Sequence, residues 1–175
     1  MALETTNIHE KIAQKFENNA LNFETQNGIF SFEANSEVIH DVIRFLKEDP
    51  DLNFHFLTDL CGIHFPDNDL NHQYTVVYHL HNWVENVRIK VKTYLKGVNP
   101  QVKSMTDLFL SSNWMERETF DFYGIDFKGH PQLKRILNMD EMVSFPMRKE
   151  FPLEDSGRTD KDDRFFGRTT TNSQH

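Results

Sequence analysis

Hydrophobic residues along this chain change their spacing several times, and each change marks an element. Residues 7–20 place Ile8, Ile12, Ala13 and Phe16 on one side of a helix. Leu21–Thr25 and Ile29–Glu33 read as a hairpin turning at Gln26-Asn27-Gly28, because Asn-Gly accepts the positive φ of a tight turn. A second helix follows, with Val38, Ile39, Val42, Ile43 and Leu46 as its stripe. Asn35 or Ser36 is its expected N-cap and Pro50 its stop. The period then falls to two. Asn53–Phe65 is rich in Phe and Leu, and Gln73–His81 alternates Tyr74, Val76, Tyr78 and Leu80 against Thr75, Val77, His79 and His81. Val87–Leu95 sets Val87, Ile89, Val91, Thr93 and Leu95 against Arg88, Lys90, Lys92 and Tyr94. Such alternation belongs to strands that bury one face, and the short polar connections between them suit antiparallel hairpins.

The order α-β-β-α-β-β-β predicts an α+β fold, a two-layer domain over residues 1–100 with helices on one face of a mainly antiparallel sheet. Beyond Pro100 the texture changes. Short helices fit residues 104–123, and Gly124 and Gly129-His130-Pro131 then break the chain, so residues 101–139 form a second unit. Residues 140–175 are turn-rich and charged, with Met147, Phe151, Leu153, Phe165 and Phe166 isolated among them. A segment of this kind cannot offset its ordering entropy with a core of its own. It is expected to be extended and to gain its order by lying across a partner.

Composition narrows the function. Of 175 residues 38% are hydrophobic and no run is long enough to cross a bilayer, while the N-terminus lacks a signal peptide's basic and apolar segments. The expectation is a chain kept in the cytosol. Cys61 is the single cysteine, which rules out an internal disulfide and any Cys-rich zinc or iron–sulfur site. Net charge is −8, against nucleic acid as a main partner. Residues 1–87 hold 4 Lys/Arg against 14 Asp/Glu, and residues 88–175 hold 15 against 13, which suggests two surfaces with different neighbours. Sixteen Phe can fill a core or anchor contacts.

The densest stretch is Asn113-Trp114-Met115-Glu116-Arg117-Glu118-Thr119-Phe120-Asp121-Phe122-Tyr123-Gly124-Ile125. Its spacing predicts a short capped helix. Asn113 and Glu116 approach a capping box, Glu116 and Glu118 fall in the first turn, Arg117 and Asp121 are placed to pair, and Gly124 suits the C-terminal cap. Aromatic and charged residues mixed so closely fit a contact surface better than a free one.

Glu116-Arg117-Glu118-x-x-Asp121-Phe122-Tyr123, followed by His130-Pro131-x-Leu133-Lys134-Arg135-Ile136-Leu137, resembles the signature of the thirty-kilodalton (C-type) family of subunits of respiratory complex I, whose relatives occur in membrane-bound hydrogenases and other donor-quinone oxidoreductases. Arg148-Lys149-Glu150-Phe151-Pro152-Leu153 is similar to the family's closing Arg-Lys-Asp-Phe-Pro-Leu. Many members carry a second Gly-His-Pro just before it, where this sequence reads Ser144-Phe145-Pro146. The resemblance implies a structural subunit without cofactor in the peripheral arm of a proton-translocating NADH-quinone oxidoreductase, on the cytoplasmic side of the inner membrane. FMN and iron–sulfur clusters would reside in other subunits, and its neighbours would be the quinone-site D-type subunit with the B- and I-type subunits. The signature residues expected where subunits meet are Glu116, Arg117, Glu118, Asp121, Phe122, Tyr123, Gly124, His130, Pro131, Lys134, Arg135, Arg148, Lys149 and Phe151.

Other readings compete with this one. Glu116, Glu118, Asp121 and His130 would serve a free-standing acid–base enzyme if buried together, although no nucleophile or phosphate loop accompanies them. Cys61, His64, His79 and His81 invite a metal, but lack the paired ligands of a structural zinc site. Arg88, Lys90 and Lys92 make a basic row that suits solvent or an acidic neighbour. A hydrogenase-type or ferredoxin-fed complex would use an equivalent subunit.

Overall fold

The computed structural model describes residues 5–151. Helix α1 (Thr5–Phe16) is followed by a 3-10 turn (Glu17–Asn19), then strands β1 (Ala20–Gln26) and β2 (Ile29–Ala34) and helix α2 (Ile39–Glu48). Strands β3 (Phe56–His64), β4 (Tyr74–Asn82) and β5 (Val87–Leu95) form the meander, and β6 (Gln101–Lys103), α3 (Ser112–Tyr123) and β7 (Asp126–Lys128) follow.

The five-stranded sheet runs β1-β2-β5-β4-β3, with β2 and β5 parallel and every other neighbouring pair antiparallel. This is the two-layer α+β arrangement expected from the spacing. Leu80 opposite Ile89 and Tyr78 opposite Val91 line the inner face, and Phe32 joins Val91 from β2. Ile8 and Ile12 of α1 and Val42, Ile43 and Leu46 of α2 are buried in the same core. A bulge between Leu57 and Asp59 lets both Leu57 and Leu60 point inward. Among the described phenylalanines, Phe30, Phe32, Phe54, Phe109 and Phe127 are core, whereas Phe56, Phe65 and Phe151 are exposed.

Several boundaries differ from the sequence-based expectation, each for a local reason. Helix α1 stops at Phe16, because Glu17 takes a positive φ of 41° and Ala20 pairs with Ala34 in the sheet. Neither Asn35 nor Ser36 caps α2 by its side chain. The N-cap position is Val38, and the backbone carbonyl of Asn35 accepts from the N–H groups of Val38 and Ile39. Strand β3 begins at Phe56 rather than Asn53, since Asn53 has a φ of 45° and Phe54 donates its N–H back to Leu46 of α2. The parallel pair of β6 and β7 has no counterpart in the expected elements, and its one strongly buried position per strand, Val102 beside Phe127, is too short a pattern to read.

Candidate functional site

Helix α3 packs against β3, and a glycine in mid-strand makes this possible. A Cβ on Gly62 would lie 2.8 Å from the Tyr123 ring and 3.0 Å from the Thr119 methyl. The C-terminal end of α3 closes through Gly124, whose φ of 69° is left-handed and whose N–H bonds the Phe120 carbonyl, as the sequence predicts. The start is different. Helix α3 begins at Ser112 after Ser111, no side chain caps it, and no acidic residue lies in its first turn. The expected Asn113–Glu116 capping box is therefore absent, and Glu116 reaches sideways instead.

Glu116 is completely buried. Its carboxylate accepts from the Ser104 hydroxyl at 2.6 Å and from the Met105 N–H at 2.6 Å. Burial pushes its pKa up from 4.5 to about 7, and the two hydrogen bonds only partly counter that rise. The loop it holds is tied to α2 as well. His40 shares the Asp107 carboxylate at 2.9 and 3.0 Å, and the Lys47 ammonium donates to the Leu108 carbonyl.

Asp121 is also completely buried, with the opposite outcome. It does not pair with Arg117, as their spacing suggested. Its Oδ1 meets Arg135 at 2.7 Å and the Asn138 side-chain amide at 3.0 Å. Its Oδ2 accepts the N–H groups of Ile136, Leu137 and Asn138 at 3.0, 2.8 and 3.0 Å. Burial would raise its pKa, but the N–H donors of Asn138 and Leu137, the Asn138 amide and Arg135 outweigh burial and hold it far below the usual carboxylate range. Arg117 turns to the same segment from the other side, donating to the carbonyls of Lys134 and Arg135, each at 3.1 Å. The exchange of partners follows from what each side chain meets: the buried Asp121 is saturated by donors of residues 135–138, and the partly buried Arg117 lies beside the Lys134 and Arg135 carbonyls.

The remaining signature residues gather on the same helix. The His130 Nε2–H donates to the Asn113 carbonyl at 3.1 Å and its Nδ1 accepts from the Gln132 N–H at 3.0 Å, a pairing that fixes one neutral tautomer. Arg148 Nε donates to the Tyr123 carbonyl at 2.8 Å, and its guanidinium lies over the Tyr74 and Phe145 rings at 5.0 and 4.7 Å. Phe145 is also covered by Arg135 at 4.9 Å. An added Cβ at Gly124 would sit 2.6 Å from both Arg148 and Phe145, so this glycine serves the turn and the packing together. The Lys149 N–H donates to His64 Nδ1 at 2.9 Å, and the His64 ring stacks on Tyr74.

Residues 145–149 thus lie across the ends of α3, β3 and β4 of their own chain. Pro152, Leu153, Phe165 and Phe166 fall outside the described residues. Glu118, Pro131, Lys134, Lys149 and Phe151 are exposed, and Phe122 and Tyr123 are half-buried. Trp114, Leu137, Met139 and Met147 stand exposed near them. Neither Glu116 nor Asp121 offers an oxygen to solvent, and Glu118 and His130 do not bond to them. Among the described residues no group of three or more His, Cys, Asp and Glu side chains has the geometry to hold a metal, and no helix is long and apolar enough to cross a membrane. Sequence reasoning missed Ser104, Asn138, Tyr74 and the His40–Asp107 pair, all of which act across long sequence separations. Gly62 did leave a signal, because glycine inside a strand marks close approach.

A family model described as respiratory-chain NADH dehydrogenase, 30 Kd subunit, matches residues 32–157. The C subunit of the NADH-quinone oxidoreductase of Roseiflexus castenholzii is 37% identical over 168 residues, covering 95% of both chains. The second C-type subunit of the Rhizobium meliloti NADH-quinone oxidoreductase is 41% identical over 133 residues, 75% of this chain and 71% of the relative. A solved trypsin-resistant fragment of Nqo5 superposes with a TM-score of 0.61 at 26% identity, covering 73% of this chain and 98% of the fragment. A chain of the membrane-bound sulfane sulfur reductase, an archaeal respiratory membrane complex, gives a TM-score of 0.71 over 85% of each chain. At 24% identity it is a likeness of fold alone.

Proposed function

The chain belongs to the 30 kDa subunit family of the respiratory-chain NADH dehydrogenase, and from that membership we propose that it is a cofactor-free structural subunit of the peripheral arm of a proton-translocating NADH-quinone oxidoreductase. The observation that carries this reading is the agreement of the family match over residues 32–157 with the way the signature is built. Asp121, Arg117 and Arg135 spend their polar atoms on fixing residues 134–138 against α3, so the signature makes a rigid platform. Exposed side chains such as Trp114, Leu137 and Met139 stand on that platform. Aromatic and aliphatic residues presented on a rigid base are what an assembly contact needs.

In this role the chain holds quinone-site and cluster-bearing subunits in register, with FMN and iron–sulfur centres carried by others. The neighbours are D-, B- and I-type subunits, on the cytoplasmic side of the inner membrane. Glu118, Pro131, Lys134, Lys149 and Phe151 face those subunits directly. Glu116, Asp121, Gly124, His130, Arg135 and Arg148 shape the platform from within, and residues 145–149 extend it across the ends of α3, β3 and β4.

Tagging the chain, extracting membranes in mild detergent and identifying the recovered proteins by mass spectrometry tests the proposal. Recovery with B-, D- and I-type redox subunits and flavin-bearing subunits is the expected result. Recovery of redox subunits without flavin-bearing ones would shift the donor away from NADH. Recovery of the chain alone would sink the proposal.

A further inference from the structure

At the end of the sheet opposite the signature, the β4–β5 hairpin raises a tryptophan into solvent. Trp83 is 58% exposed and Val84 77% exposed. The residues beneath them are rigid. Asn82 is 2% exposed, donates its amide to the Leu52 carbonyl at 2.9 Å and accepts the N–H groups of Val84 and Glu85 at 2.9 and 3.1 Å. Asn86 takes a φ of 52° and accepts from His81 at 3.3 Å. The Trp83 ring is held edge-on by His55 and His81 and against Phe56 at 4.8 Å. A large exposed aromatic set on a turn locked by a buried asparagine loses little entropy on binding, which is the character of an interface anchor.

Charge defines what would meet it. Arg88 lies directly across from His81, and Lys90 across from His79, on the sheet face that carries no helix. Among the described residues, Arg88 and Lys90 have no carboxylate within 4 Å, as is also true of Lys15, Lys47, Lys103, Arg117, Lys134 and Lys149, but only these two lie side by side on one open strand face, with Lys92, bound to Glu24, continuing the row. This local row of cations beside imidazoles, in a chain of net charge −8, is complementary to carboxylates on a neighbouring surface. A second copy would bring cations to cations across a two-fold axis. Anionic lipid would face the overall negative charge and Glu85 in the same turn.

We propose that the Trp83-Val84 hairpin tip, with His81, Arg88 and Lys90 beside it, is a second docking surface, and that its occupant is a protein surface with an apolar pocket rimmed by carboxylates. The inference rests on the chain being part of an assembly. Strand β4, from Tyr74 at the signature end to Asn82 at the tip, separates the two surfaces by roughly 26 Å at the usual rise per residue. The chain would therefore bridge two neighbours rather than touch one.

The test places a photo-reactive benzoylphenylalanine at Val84 in the full chain, irradiates the detergent-extracted complex and sequences the cross-linked peptide. A peptide from a different protein, with Asp or Glu among its residues, is the expected result. Alongside it, Trp83→Ser should lower retention of the chain in the salt-washed complex about tenfold, in keeping with loss of an anchor residue. It should leave the isolated chain folded with only a small drop in melting temperature, because the ring packs on Phe56 at one edge but is 58% exposed. A cross-link to lipid, to a second copy or to residues 152–175 of the same chain would overturn the proposal. So would no cross-link, or retention of Trp83→Ser at the wild-type level. Failure to recover any complex would sink the functional reading and this one together; an intact complex with a silent Val84 sinks this one alone.

Discussion

Glu116 and Asp121 sit on the same helix, are both closed off from solvent, and meet opposite electrostatic fates, Glu116 deep in the molecule and Asp121 nearer its surface. Asp121 faces a turn of chain that aims three N–H groups, an amide and a guanidinium at it. Glu116 faces one hydroxyl and one N–H. The difference teaches that depth of burial and the number of donors aimed at a carboxylate together decide which protonation state folding prefers. Asp121 therefore locks the family signature to its own helix at all ordinary pH values. Glu116 ties α3 to the loop behind it with an acid that is half protonated near neutrality.

The comparison can be broken most decisively at Asp121. Asp121→Asn keeps the shape but leaves Arg135, whose side chain is 7% exposed, without its counter-charge. The expected loss is about 3–5 kcal/mol in chemical denaturation, the usual result of removing one member of a buried pair. A loss under about 1 kcal/mol would mean that the backbone donors alone suffice, since a single hydrogen bond contributes on that order.

Glu116 sharpens the contrast through pH. Its folded pKa of about 7 lies above the ordinary 4.5, so between those values the folded chain holds a proton that the unfolded chain has released. Stability from this group is then greatest below pH 4.5 and declines as pH rises toward 7. The full loss is roughly 3 kcal/mol. His64 and His79, whose pKa values are lowered chiefly by burial, act in the opposite direction over part of the same range. The measurement is therefore a difference. The advantage of wild type over Glu116→Gln should shrink by most of that amount from pH 5 to pH 8, and a flat difference would break the comparison. The depressed pKa of Asp121 places its own stability loss below its ordinary value of 3.8, where the unfolded chain begins to take up the proton and the folded chain does not, outside this window.

Arg117→Lys carries the smallest expected effect. A lysine cannot donate to the Lys134 and Arg135 carbonyls in the fixed geometry of the guanidinium fork. A loss of about 1 kcal/mol is expected from a partly exposed pair of neutral acceptors. A loss as large as that of Asp121→Asn would show that the two sides of the segment act as one unit.

Much of this architecture is legible in the sequence, for a reason visible in the elements themselves. Val87–Leu95 reads with its observed boundaries, because alternating burial repeats over a whole strand. The Asn27-Gly28 turn reads correctly because both residues take positive φ, 53° and 77°, a short-range demand that sequence states directly. The Arg117–Asp121 pair misleads, since spacing on a helix allows the contact but cannot show that Arg135, farther along the chain, competes for the same carboxylate. Glu116 misleads for a similar reason: its partners precede the helix, and a start at Ser112 moves it out of the first turn.

What the sequence determined alone was much of what neighbours in the chain govern, though not the helix starts: the periodicity, the Asn27-Gly28 turn, the glycine stop at residue 124, and a signature specific enough to point to its family. Tertiary structure decided the rest. It chose which carboxylate meets five donors and which meets two, seated residues 145–149 against their own domain, and left Trp83 standing on a rigid turn. Local preferences act through bonds between adjacent residues, whereas charge, burial and exposure depend on every group that the fold brings within a few ångströms.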